Sequence, residues 1–192
     1  MMIKAIVNPI AFFYFYIMKK EQKRVEKAVP KKEVDILFDK YAESHQNPSN
    51  KLIHWICVPL IVFSIVGLVW SIPFPHLNFL GRYNGFLNWA SFLIAFSGYY
   101  YYRLSPVLSY LAILLFFVMA LVITQLEKWT LAGGPALWLV CAVIFVLAWI
   151  GQFIGHKIEG KKPSLLQDFQ FLLIGPIWLL SHFCIKIGLK WN

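Results

Sequence analysis

Residues 52–70 read LIHWICVPLIVFSIVGLVW, a run without a single Asp, Glu, Lys or Arg. A helix rises about 1.5 Å per residue and a bilayer's hydrocarbon core is about 30 Å thick, so this segment is long enough to cross it. The pattern recurs along the chain. Residues 86–102, 106–126, 135–155 and 169–189 are further apolar runs, separated by short turn-rich or charged stretches. The 192-residue chain is 59% hydrophobic and 14% charged, with a mean hydropathy of +0.64. Soluble domains run at about 45–50% apolar and about 25% charged, and one of this size has too little interior to hide so much Phe, Leu, Ile and Trp. Disorder and coiled coil are excluded by the same long uncharged runs. The expected fold is all-α: a polytopic membrane helical bundle of four full spans, then a fifth segment interrupted by Gly175 and Pro176. That last segment reads as one broken span or as a re-entrant helix pair, since Pro removes a helical hydrogen bond and Gly weakens the same turn.

The formal net charge is +9, and ten of the eighteen basic residues precede Leu52, mixed with six acidic ones. Such a stretch reads as a solvated, membrane-proximal segment attracted to anionic lipid, and no nucleic-acid partner is expected. A second charged stretch covers residues 157–168, whereas the intervening loops carry little Lys or Arg. With four spans before it, the positive-inside rule places both basic stretches, and so the N-terminus, on the cytoplasmic side. Residues 1–18 hold the aromatic run AFFYFYIM followed by Lys19 and Lys20, with no small-residue cleavage site, and read as an interfacial anchor, with a short first span as the alternative. The expected organisation is an N-terminal interfacial helix and basic linker over 1–32 and one membrane-embedded catalytic domain over 33–192. Cys57, Cys141 and Cys184 lie in apolar runs without metal spacing and read as small buried hydrophobes.

The polar residues inside or beside these runs form two clusters. Tyr41, His45, Asn47, Asn50 and His54 surround the start of the first span, where Pro48 predicts a turn opening a new helix. Gln152, His156 and Glu159 follow one another at four and three residues, on one face of a helix end. The orientation argument brings His45, His54 and His156 to one membrane face. Polar groups at this depth are costly and usually have a task. Neutral imidazoles suit iron, zinc, copper or nickel, and Glu159 reads as a ligand or as an acceptor for an imidazole N–H. His182 joins them only if the last segment turns back. Spacing alone leaves open that each histidine merely caps or packs. HExxH, GxSxG, P-loop and GxGxxG motifs are absent.

Taken together, the two clusters resemble the signatures of the DUF962, or Mpo1-like, family of small multi-span membrane proteins. The first matches as Tyr41, His45, Asn47, Asn50, His54 and Pro59, and the second as Gln152, Gly155, His156, Glu159 and Pro163. Gly175 and Pro176 match a Gly-Pro in the last apolar segment. The resemblance implies an Fe(II)-dependent dioxygenase that uses O₂ to shorten long-chain 2-hydroxy fatty acids by one carbon, in the α-oxidation that accompanies sphingoid base breakdown. It implies iron ligands at His45, His54 and His156 with His182 as a fourth, zinc as the alternative occupant, and catalytic roles for Tyr41, Asn47, Asn50, Gln152 and Glu159. The implied membrane is a bacterial inner membrane or the endoplasmic reticulum, with the substrate tail among the spans. Lys157, Lys161, Lys162 and Arg103 are placed to attract its carboxylate. The competing readings are another metal-dependent membrane lipid hydrolase or oxidase, and a non-enzymatic carrier or scaffold.

Overall fold

The computed structural model describes residues 9–28, 31–75, 77–79, 81, 87–160 and 165–191, with the backbone alone for 9–11, 22–28 and 165–170. Among these residues all the regular structure is helical: α1 (Pro9–Ala28), α2 (Glu33–Glu43), α3 (Pro48–Trp70), α4 (Trp89–Leu104), α5 (Pro106–Leu131), α6 (Leu137–Glu159) and α7 (Leu165–Lys186). The chain divides into two compact units, 1–36 and 37–192. In the first, α1 opens on Pro9, a residue whose fixed φ suits a first helical turn. The side chains Phe12 to Met18 along it are exposed, and Lys19 and Lys20 follow them.

In the second unit, local chemistry sets the helix boundaries. Asn47 caps α3, its Oδ1 accepting the Ser49 N–H at 2.9 Å, and Pro48 is the first helical residue. Asn88 and Ser91 form a reciprocal capping box on α4, and Ser105 caps α5. Gly160, at φ +73°, ends α6 in the left-handed conformation that Gly adopts without strain.

Helices α3 and α6 pack antiparallel along their length through small residues. A Cβ on Gly155 would strike Asn50 Oδ1, one on Gly151 would stand 2.6 Å from Cys57 Sγ, and one on Gly67 would strike Cys141 Sγ. Close backbone approach of this kind is how helices associate where burial of apolar surface gives no preference for helix over lipid. Cys57, Ile61 and Ala148 form the core of the contact. The three cysteines are buried and unpaired with one another, as expected. The outer faces are apolar, with Leu114, Phe117 and Leu121 of α5 and Val146, Ile150 and Phe153 of α6 all exposed. Among the described residues, three helices, α3, α5 and α6, are long and apolar enough to cross a membrane.

Several expected boundaries move. The second apolar run forms a helix of only 16 residues, about 24 Å at 1.5 Å per residue, short of a full hydrocarbon core. Within its tyrosine cluster, Tyr101 turns inward and donates its hydroxyl hydrogen to the Leu173 carbonyl at 2.9 Å. Helix α5 runs on through Glu127 and Lys128, which read from sequence as a turn. The largest correction concerns the last segment: α7 is continuous through Gly175 and Pro176. Pro176 forfeits one ladder hydrogen bond without ending the helix. Gly175 serves a close approach, since a Cβ there would lie 3.1 Å from Tyr41 Oη and 3.4 Å from Val58 Cγ1. The C-terminal end of α7 lies at the end of the bundle where α3 starts. Lys186 Nζ stands 5.2 Å over the Trp55 ring, the Trp191 carbonyl accepts from Ser105 Oγ at 2.6 Å, and the Trp191 ring packs on Phe38.

Candidate metal centre

The turn between α2 and α3 and the final turn of α6 meet at that same end. His45 follows the last turn of α2, and its ring stacks on Tyr41 with centroids 4.0 Å apart and planes within 7°. Its Nδ1 lies 2.6 Å from the Tyr41 carbonyl, and that of His54, in the second turn of α3, lies 3.0 Å from the Asn50 carbonyl. A carbonyl only accepts, so in both rings Nδ1 carries the hydrogen and Nε2 keeps its lone pair. Helix α6 brings His156 against both, with ring centroids 5.8 Å from His45 and 5.1 Å from His54, while the His45 and His54 rings lie 4.3 Å apart. One ligand atom from each of the three lies within 4.8 Å of the others.

His45 and His54 are buried and His156 is half-buried. His45 Nε2 has no hydrogen-bond partner although it is buried. A buried lone pair with no donor calls for an occupant, and three imidazoles facing one point, two of them with tautomers locked by backbone carbonyls, are the donor set that a divalent transition metal takes. Burial pushes the His45 imidazole below the usual histidine range and the neighbouring His156 adds to this, against the opposing pull of the Tyr41 carbonyl and Glu159. The neutral form thus favoured is the form that ligates. Burial likewise raises the Tyr41 phenol and keeps it protonated.

Glu159 has a different task from the one its spacing suggests. Its Oε1 accepts the Gln46 N–H at 2.8 Å, and its Oε2 accepts the Asn47 N–H at 2.9 Å and Asn50 Nδ2 at 3.0 Å. Two consecutive backbone amides and a side-chain amide therefore converge on one carboxylate from 109 to 113 residues away. Glu159 is a clamp between the His45–His54 turn and the helix end that carries His156, and it is outside the group of converging ligands. Asn50 is fully buried and serves both sides of this joint, with its amide on Glu159 and its carbonyl on His54. Asn47 acts as the α3 cap.

The remaining candidates divide. Tyr41 and Gln152 line a cavity of about 40 Å³ with the three histidines. His182 is outside the cluster. Because α7 does not turn back at Pro176, His182 stacks on Trp178 at 4.0 Å, with Nδ1 2.9 Å from the Trp178 carbonyl. Arg103 and Lys157 are exposed, and Lys161, Lys162, Pro163 and His76 lie outside the described residues. Sequence reasoning passed over the apolar wall, namely Val58, Ile61, Trp149, Phe171 and Leu172, with Trp178 packed on Tyr41 and His45. The Trp149 indole N–H is buried and has no hydrogen-bond partner. A signal was available: Val58 is four residues after His54, and Trp149 is three before Gln152 and seven before His156, on the same helical faces.

A bundle of apolar helices enclosing a three-histidine cluster of this kind defines a membrane-associated, metal-binding protein. The chain belongs to the family described as 2-hydroxy-palmitic acid dioxygenase Mpo1-like, whose model matches residues 32–187, a range that contains all three histidines and their supports. It is 27% identical over 150 residues to the 2-hydroxy-palmitic acid dioxygenase MPO1 of Saccharomyces cerevisiae, which covers 77% of this chain and 78% of the yeast protein. No solved structure matches it.

Proposed function

We propose that this chain is a membrane-embedded, Fe(II)-dependent dioxygenase that shortens long-chain 2-hydroxy fatty acids by one carbon, as in fatty acid α-oxidation. The observation that carries the reading is the convergence of His45, His54 and His156 within 4.8 Å, in a chain whose yeast relative is named for 2-hydroxy-palmitic acid. These three residues would hold the metal. Bound there, Fe(II) would supply the redox chemistry with O₂ that cleavage of the bond between C1 and C2 requires. The chain's own groups do the rest. The carbonyls of Tyr41 and Asn50 fix the tautomers of His45 and His54. Glu159 fixes the distance between the two halves of the site. Gln152 and the Trp149 N–H are the polar groups available to orient the oxygens of the substrate, and the surrounding apolar side chains keep bulk water away. Three imidazoles also suit zinc, so elemental analysis names the metal.

The topology that goes with this reading has α3, α5 and α6 crossing the bilayer and the shorter α4 completing a fourth span. The site and the N-terminus then face the cytoplasm, in a bacterial inner membrane or the endoplasmic reticulum. Residues 1–32 form an interfacial anchor and linker, and 33–192 the catalytic domain. The test is metal analysis of protein purified anaerobically in detergent, followed by assay with O₂ and 2-hydroxypalmitate. We expect about one iron per chain, with turnover of the 2-hydroxy acid and none of its unhydroxylated counterpart. Absence of bound iron after anaerobic Fe(II) loading overturns the proposal.

A further inference from the structure

The cavity at the histidines is small, about 40 Å³. A fatty-acid tail has to lie elsewhere. Next to it, between α3, α5 and α7, is a second space of about 280 Å³. Its walls include Trp55, Val62, Phe116, Met119 and Leu179, together with Tyr101, whose hydroxyl is engaged with the Leu173 carbonyl. Trp55 to Val62 of α3 and Pro176 to Phe183 of α7 each follow it for about 10 Å at 1.5 Å per residue. Both Pro59 and Pro176, the prolines internal to these two helices, border this space.

The two spaces share one side chain. Val58 lines the histidine cavity and the apolar groove alike, and Gly175 faces it with bare backbone at the distance a Cβ would turn into contact. We propose that the groove holds the acyl tail of the substrate, and that Val58 against Gly175 is the partition past which the tail passes to the carboxyl end at the histidines. The inference rests on the site acting on a long-chain fatty acid. It adds where the chain lies and which residues set the preferred length.

The test uses the full chain in nanodiscs and a 2-hydroxypalmitate probe with a diazirine at the end of its tail, with cross-links located by mass spectrometry. Cross-links are expected at Leu115, Met119 and Leu179, and should be abolished by excess unlabelled 2-hydroxypalmitate. In parallel, Met119→Trp and Ala112→Phe fill the groove from α5. Each methylene denied burial costs about fourfold in affinity, so a tail two methylenes too long should bind about fifteenfold more weakly to these variants than to the unmodified chain. Iron content serves as the control for folding, and the second variant stands in if one fails to hold metal. Uncompeted labelling that also covers the outward residues Phe117 and Val118, with an unchanged length profile, would mean that the groove is a seam filled by bulk lipid, and overturns the inference. That result leaves iron binding and turnover intact, whereas loss of those in the unmodified chain would indict the functional reading itself.

Discussion

Replacing Glu159 by Gln tests whether the site is held together before any metal arrives. The carboxylate accepts three N–H groups, one on Oε1 and two on Oε2. A glutamine has one accepting oxygen. In its better orientation that oxygen keeps Asn47 and Asn50, while its NH₂ is turned toward the Gln46 N–H, donor against donor. The variant thus loses one charge-assisted bond and weakens two. Bonds to charged groups contribute about 1.5–3 kcal/mol when sheltered, and the exposed edge of this clamp reduces that to about 1–2 kcal/mol. If the loosened turn lets His45 and His54 drift from His156, the loss appears in metal affinity as about a tenfold fall, 1.4 kcal/mol being one decade. Glu159→Leu, which keeps no acceptor, should fall about 100-fold, the upper end for supports of metal ligands. The assay is competitive metal titration against a chelator of known affinity, with the visible spectrum of the Co(II) form recorded alongside. A Glu159→Gln affinity within error of the unmodified chain refutes the clamp. A total loss like that of His54→Ala, with an altered Co(II) spectrum, would make Glu159 a ligand and refute it in the other direction.

His45→Ala, His54→Ala and His156→Ala should each abolish stoichiometric metal in elemental analysis, whereas His182→Ala should keep it, because Trp178 holds that ring outside the cluster. Gly155→Ala forces a methyl onto Asn50 Oδ1 at the α3–α6 contact and should cost about 1–3 kcal/mol, read as a lowered Tm in detergent. The pH response follows from His45, whose folded-state value lies below the ordinary one. Below about pH 6.5 the unfolded chain takes up the proton first, so this contribution to stability is complete above that value and declines as the pH falls beneath it. Melting of the chelator-treated protein across pH 5–8 should show the decline, and His45→Gln should lessen it. Trp149→Phe removes one unpartnered donor beside the histidines, and should raise KM for the 2-hydroxy acid several-fold at unchanged iron content.

What could be read from the chain divides along physical lines. Local rules worked where the cause is local. Pro48 behind Asn47 set the start of α3, and the spacing of Gln152, His156 and Glu159 put all three on one helical face. Meeting of the two clusters followed from counting apolar runs, since antiparallel spans bring the start of the first and the end of the fourth to one side. The misreadings came where tertiary packing overrode a local rule. Gly175 and Pro176 looked like a break because each weakens a helix. The packing of Tyr41 and Val58 on the bare glycine gives the pair another use, and the helix passes through it. His182 was drawn toward the metal by the supposed break and falls away with it. Glu159 read as a ligand or as an acceptor for an imidazole N–H, and nothing local to it announces two amides converging on it from 112 and 113 residues away.

That clamp bears on how the site forms. In a metal site without internal support, binding energy has to order the ligands, and removing the metal releases them. Here the parts that set ligand geometry are engaged through bonds among themselves. The Tyr41 and Asn50 carbonyls hold two imidazoles, Glu159 ties the turn bearing them to α6, and the contact of Gly155 with Asn50 fixes the helix spacing at the same level. Each of these operates on neutral rings, which burial favours at His45. The metal-free chain should therefore keep its fold and rebind metal without a large conformational step. Loss of metal from a variant that still melts cooperatively then reports on ligation and not on folding, which is the condition under which the histidine substitutions can be interpreted.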